Sequence, residues 1–295
     1  MLLTKYNWFR IKAFCKYFIE LNDFTDLKKH IKFAKDNNLN FLILGDGSNI
    51  LLNEDLTKYY VIKPVNSKII LNNNILNVSS GCSLKKLIDY CIENNLEGIE
   101  NFIGIPGNLG GCVYMNIHYK DKFISDYIVS VEVFEISTEK FLILNKNDIN
   151  FEYTYNIFKK NNDYIILKVN FKFNSVDDNK NLKNKSKRIL ELRNSKYPNS
   201  NTCGCFFYNI KEFELINRSI GYQIEKMNLN FDNFKNIKPS KNHKNIFVTN
   251  NNCSSDEVIK FANFISLNLI KKINYKPKAE CRLFGFENKE IKFLV

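Results

Sequence analysis

The stretch Gly104-Ile105-Pro106-Gly107-Asn108-Leu109-Gly110-Gly111-Cys112-Val113-Tyr114-Met115-Asn116 limits what this chain can become more than any other. Its first eight residues hold four glycines and a proline, while all 295 residues supply only 11 glycines and 5 prolines. Glycines this dense let a main chain approach another group closely and aim its N–H donors at one point. The apolar Cys112, Val113 and Met115 that follow predict a short helix or strand anchoring the loop. Alone, such a loop also reads as an ordinary tight turn.

A second loop of the same kind adds weight to the ligand reading. The strand-like Leu42-Ile43-Leu44 runs into Gly45-Asp46-Gly47-Ser48-Asn49 and then Ile50-Leu51-Leu52. A strand ending this way offers bare N–H groups, a hydroxyl and an amide together, which suits a phosphate or pyrophosphate. It is not a dinucleotide fingerprint, because a third glycine and a following helix are missing, and no Gly-Lys-Ser/Thr of a Walker loop follows. Two glycine loops, each read as lying behind an apolar strand, suggest one long ligand gripped from two sides.

The length allows about two domains, and a 44% hydrophobic content is enough for real cores. The net charge of +12 could mark a polyanionic partner. The basic residues are spread along the chain, apart from a run near Lys180–Arg193, so the charge reads as compositional and no nucleic-acid partner is expected. The eight cysteines form no C-x-x-C pair and no zinc spacing, so no metal site is expected and the thiols read as reduced, as in a cytoplasmic protein. The N-terminus lacks the apolar core of a signal peptide, and no run approaches the roughly 18–20 apolar residues that span a membrane.

The pair of loops, in this order and at this distance, resembles the UDP-N-acetylenolpyruvoylglucosamine reductase (UDP-N-acetylmuramate dehydrogenase) family, and the chain is identified as a divergent member without the Tyr-loop insertion. The resemblance extends over nearly the whole sequence. Asn7-Trp8-Phe9-Arg10 resembles the family's Asn-Thr-Phe opening. Phe151, Tyr153, Phe158 and Lys159 match a Phe-x-Tyr-Arg-x-Ser-x-Phe-Lys motif, and Arg193, Lys196 and Pro198 match Arg-x-x-Lys-x-Pro. Cys203-Gly204-Cys205-Phe206-Phe207-Tyr208-Asn209 resembles Ala/Cys-Gly-Ser-Phe-Phe-Lys-Asn. His243-Lys244-Asn245 matches His-Ala-Asn, and Ala279-Glu280-Cys281-Arg282 resembles Pro-Glu-Val-Arg.

The resemblance implies an α+β fold. A two-subdomain FAD-binding domain of the vanillyl-alcohol-oxidase/PCMH type would occupy residues 1–65 and 66–178, and a C-terminal α+β substrate-binding domain residues 179–295. It implies non-covalent FAD, NADPH as reductant, and a small nucleotide-sugar substrate, UDP-N-acetylglucosamine enolpyruvate, reduced to UDP-N-acetylmuramate for peptidoglycan. Cofactor contacts would come from Leu44, Gly45, Asp46, Gly47, Ser48, Asn49, Ile105, Pro106, Gly107, Gly110, Gly111 and Asn116. Tyr153, Asn209 and Arg282 would bind substrate. Cys205 stands where the family has a proton-donating serine, and Glu280 matches its catalytic glutamate.

Two departures matter. The family's glycine-rich turn after the Asn becomes Ile117-His118-Tyr119-Lys120-Asp121-Lys122, and His118 there reads as a satisfied polar residue rather than a catalyst. Thr154 holds the position of an arginine that helps hold the substrate carboxylate. Losing one charge-assisted contact costs about 2–4 kcal/mol in a transition state, a slowing of roughly 30- to 1000-fold unless another group replaces it. A thiol for a hydroxyl at Cys205 is gentler, since a free cysteine has a pKa of about 8.5. The competing readings are another flavin oxidoreductase of this fold, a catalytically impaired homologue, or a basic binding protein.

For secondary structure, the patterns predict a β-α-β start with strands at Ala13–Ile19 and Phe41–Leu44. Helices are expected at Leu84–Asn95, Ile216–Met227 and from Ser254 to about Ile273. Strands are expected at Ile128–Ile136, Phe141–Leu144 and Tyr164–Phe173, and a polar linker at Asp177–Lys187 before a helix at Lys187–Arg193.

Overall fold

Apolar side chains recur every third or fourth residue after Leu27, and every second residue along the strands of the middle third. These two periods build the layers of the fold. The structure, a computed structural model, describes residues 1–153, 155–198, 201–210 and 219–295. It divides into two compact units that do not follow the chain in order. One comprises Met1–Tyr17, Gly47–Lys58 and Asn194–Val295, and the other Phe18–Asp46 and Tyr59–Arg193.

The second unit opens on the expected β-α-β element. Leu27, Ile31 and Ala34 are buried along one side of the helix Leu27–Asp36. The strands Asn40–Ile43 and Tyr59–Pro64, which both follow it in sequence, pair in parallel, Asn40 opposite Tyr59 and Ile43 opposite Ile62. The strand expected at Ala13–Ile19 is found at Tyr17–Leu21, because the backbone of Ala13 and Phe14 is tied to Leu3, Glu54 and Leu56 instead. An antiparallel five-stranded sheet follows. Its order is Lys140–Asn145, Ile128–Glu135, Tyr164–Phe171, Ile75–Ser79 and Ile69–Asn72. Its apolar residues pack with the helix Leu84–Glu93, which Ser83 caps by accepting from the Lys86 N–H at 3.2 Å.

The polar run expected as a linker is helical: one helix spans Lys180–Lys196. Leu182, Ser186 and Ile189 form a buried seam at helical spacing, and the Asp178 carboxylate accepts from the Lys180 N–H at 2.8 Å.

In the first unit, Ile50–Leu52 pairs in parallel with Arg282–Phe284. The helix Ser255–Ile273, capped by Ser254 as its sequence predicts, buries Val258, Phe261, Ala262, Ile265 and Leu269. Phe247 lies 4.7 Å from Phe206 and 4.8 Å from Phe261, ring centre to ring centre, and anchors that core. Of the helix expected at Ile216–Met227, Ile220–Lys226 is seen; residues 211–218 lie outside the described part.

A chain poor in glycine has to turn by other means. Asn38, Asn73, Asn74, Asn95, Asn116, Asn150, Asn228 and Asn274 all have φ between 45° and 64°. Asparagine tolerates this left-handed region better than other residues with a Cβ. Among the described residues no helix is long and apolar enough to cross a membrane.

Candidate functional site

In the second unit the two glycine loops meet. Leu44, just past its strand, donates its N–H to the Ile62 carbonyl at 2.9 Å, and Gly45 follows. A Cβ on Gly45 would lie 2.6 Å from Oδ1 of Asn108, the residue that opens the second loop's helix. Lys63, read past in the sequence, holds this corner. Its ammonium donates to the Gly45 carbonyl at 2.7 Å and lies 3.8 Å from the Asp46 carboxylate. Burial lowers its pKa, and the Asp46 and Glu20 charges oppose that fall. The available signal was a lone cation in the apolar strand Val61-Ile62-Lys63-Pro64.

The second loop leaves the short 3-10 turn Ile99–Phe102, not a strand. Glu100, buried in that turn, pairs with Lys185 at 2.7 Å, and the Ile105 N–H bonds to Phe102. Gly104 has φ +80, and a Cβ there would press on Leu190 and Arg193. Pro106 is exposed, and Gly107 follows with φ +142. The anchor is the helix Leu109–Met115, capped by Asn108. The N–H groups of Leu109, Gly110 and Gly111 bond to Cys82 O, Ser80 O and Asn108 Oδ1. These three donors are therefore spent on the protein. What the loop offers instead is the exposed backbone of Gly111, next to Gly110, which packs on Ser80, whose buried hydroxyl has no hydrogen-bond partner among the described residues. An orphaned hydroxyl beside uncovered backbone fits an extended anionic cofactor such as FAD.

Asn116 ends that helix in the left-handed region. Its amide serves the fold: Nδ2 donates to Glu152 O at 3.2 Å, and Oδ1 accepts from the Ser125 N–H at 3.4 Å. Asn116 and Tyr153 together line a cavity of about 390 Å³ with Phe123, Ser125, Lys146 and Phe151 among its other walls. The Tyr153 ring stands edge-on to His118 with centroids 4.9 Å apart. Thr154 lies outside the described residues.

The other half of the first loop lies in the first unit. Gly47 has φ +68, and a Cβ there would come within 2.1 Å of the Tyr6 carbonyl, so this glycine is required by the fold. Ser48 is half-buried. Asn49 donates from Nδ2 to the Glu280 carbonyl at 3.2 Å and accepts the Arg282 N–H at 3.1 Å.

That strand brings three predicted residues together. Phe206 O accepts from the N–H groups of Glu280 at 2.8 Å and Cys281 at 3.2 Å, which sets the Cys203–Phe207 segment beside Ala279–Arg282. The Cys205 thiol is pushed up to about 12 by burial, and next by the nearby Glu280 charge. It therefore keeps its proton at neutral pH, more firmly than a free cysteine. Burial and a hydrogen bond with Cys281 also raise Cys203. Gly204, between the two thiols, has φ +79, and no described residue comes within 4 Å of where a Cβ would stand. The Arg282 guanidinium lies 4.8 Å from the Phe284 ring centre. Asn209 is exposed, and its Oδ1 accepts from Ile220 N–H at 3.2 Å, at the start of the helix Ile220–Lys226. No group of three potential metal ligands occurs among the described residues.

Residues 15–142 match the FAD binding domain family. A UDP-N-acetylenolpyruvoylglucosamine reductase of Rickettsia prowazekii is 31% identical over 291 residues, covering 96% of this chain and 94% of that protein. One from Prochlorococcus marinus is 27% identical over 97% of this chain and 96% of the relative. The crystal structure of UDP-N-acetylenolpyruvylglucosamine reductase from Thermus caldophilus shares the fold, with a TM-score of 0.80 at 19% identity, covering 96% of this chain and 97% of that one.

Proposed function

The chain belongs to the UDP-N-acetylenolpyruvoylglucosamine reductase family, and from that premise we propose that Cys205 and Glu280 carry the protonation step of its reaction. The reaction is the NADPH-dependent reduction of UDP-N-acetylglucosamine enolpyruvate to UDP-N-acetylmuramate, a step of peptidoglycan biosynthesis, with FAD as cofactor. FAD, when bound, would supply the two-electron carrier between NADPH and the enolpyruvyl double bond. The residues that would hold it are Leu44 to Asn49, Ile105 to Gly107, Gly110 and Gly111. Asn116, whose amide is engaged in the fold, would act by shaping the end of the anchoring helix.

What supports this reading is the backbone bond from Glu280 to Phe206, which sets Glu280 beside the Cys205 segment, with the Cys205 thiol raised first by burial and next by the Glu280 charge. As the substrate accepts electrons, negative charge builds on the carbon next to its carboxylate. Cys205 Sγ would give that carbon its proton, leaving a thiolate that solvent reprotonates. Glu280 raises the thiol's proton affinity in the resting state and would assist the enolate. Arg282, Asn209 and Tyr153 would position the nucleotide sugar, and Thr154 occupies the family's arginine position. A cytoplasmic location agrees with eight cysteines that are all free thiols.

The test is spectroscopic. Purified protein supplied with FAD should show a flavin absorption band that NADPH bleaches without oxygen and that UDP-N-acetylglucosamine enolpyruvate restores. A protein that takes up no flavin, or that bleaches and never recovers with this substrate, would overturn the assignment.

A further inference from the structure

The turn that departs most from the family pattern is rebuilt around one histidine. The short strands His118–Tyr119 and Lys122–Phe123 pair antiparallel, with His118 directly opposite Phe123. Their rings stack at 5.2 Å with planes 28° apart. The imidazole also meets the Tyr153 ring, in a T-shaped pair at 4.9 Å and 70°. Phe123 and Tyr153 both line the 390 Å³ cavity, while His118 does not. It therefore packs against two rings of the wall.

The surroundings favour a neutral ring. Burial lowers the His118 pKa, and the charges of Lys159 and Arg193 lower it further. Both cations are engaged elsewhere: Lys159 Nζ donates to Met115 O at 3.3 Å, and the Arg193 guanidinium lies 4.8 Å from the Tyr119 ring centre. An uncharged imidazole between two aromatic rings acts by shape, as a wedge.

We infer that His118 is a positioning residue for substrate binding: wedged against Phe123, it fixes the Tyr153 ring at the cavity wall, where part of the nucleotide sugar is received. This rests on the reductase reading given above. It adds to the substrate site a residue that touches neither substrate nor cofactor.

The experiment compares His118→Ala and His118→Phe with the wild-type holoenzyme. It reads KM for UDP-N-acetylglucosamine enolpyruvate, Kd for UDP-N-acetylmuramate by calorimetry, FAD content, and the rate of bleaching by NADPH. His118→Ala should raise KM and product Kd about tenfold, with kcat, FAD content and bleaching within about threefold of wild type. His118→Phe, which keeps a ring in the wedge, should restore KM to within about threefold. Unchanged KM and Kd in His118→Ala would overturn the inference. So would a phenylalanine variant as impaired as the alanine one, or a KM effect that appears only together with lost FAD. Wild-type protein that binds the product and turns over upholds the reductase reading whichever way His118 falls. Wild-type protein that does neither overturns that reading and this inference with it.

Discussion

Gly111→Ala separates what the fold needs from what the cofactor needs. Gly111 is the third residue of the helix Leu109–Met115, it is exposed, and its φ is not in the left-handed region. Among the described residues a Cβ there would meet only Asn108 Oδ1, at 3.3 Å. Alanine for glycine in a helix gains up to about 1 kcal/mol. Nudging Asn108 off its capping bond costs at most about the same. The two nearly cancel, so cofactor-free protein should melt within about 4 °C of wild type. If FAD packs on this bare backbone, the added methyl is an overpacking of about 1–3 kcal/mol, or roughly 5- to 150-fold in Kd. Titrating deflavinated protein with FAD by fluorescence quenching gives the affinity, and a thermal melt of the same sample gives the stability. An FAD Kd within twofold of wild type would show that Gly111 does not face the cofactor. A melt lowered by more than 10 °C would refute the packing argument itself.

Three other outcomes can be measured on the same protein. Lys63→Met strips the Gly45 carbonyl and Asp46 of their shared cation. It should raise the FAD Kd about tenfold; an unchanged Kd would mean that the loop needs no such support. His30, His118 and His243 all have pKa values lowered, chiefly by burial. The unfolded chain thus binds more protons, so stability rises with pH through this range and is lost as pH falls below about 6.5. Melts at successive pH values should show it, with imidazole NMR resonances titrating below that point; a melting temperature unchanged or higher at pH 5.5 would contradict it. Thr154→Arg, restoring the family residue, should raise kcat/KM at least about tenfold, and no gain would mean that another group already does the work.

Local chemistry was the readable part of the sequence. Ser83 and Ser254 announce their helices because a capping hydroxyl acts within three residues of itself, and both helices begin where the serines place them. The glycine loops were legible for a similar reason, though not what they do. The N–H groups at Leu109, Gly110 and Gly111 are satisfied by Cys82, Ser80 and Asn108, partners that only the folded chain reveals. The helix at Lys180–Lys196 was hidden by its Lys- and Asn-rich surface, because its buried seam is only Leu182, Ser186 and Ile189. Pairing of Ile50–Leu52 with Arg282–Phe284 joins segments more than 200 residues apart, which no periodicity encodes. Cys205 shows the same limit in its chemistry. Its identity suggested a ready proton donor near pKa 8.5, but burial and Glu280 hold the proton more tightly, up to about 12.

The role of Cys205 is also where the account meets its most direct test. Rapid mixing can follow the two halves of the reaction separately in Cys205→Ala and Cys205→Ser. Both variants should bleach with NADPH at the wild-type rate. Recovery on adding UDP-N-acetylglucosamine enolpyruvate should slow by about 100-fold or more in the alanine variant, the usual scale for loss of a general acid, and far less in the serine variant, which still carries a proton. Recovery of Cys205→Ala at the wild-type rate would contradict the assignment and move the proton donor elsewhere.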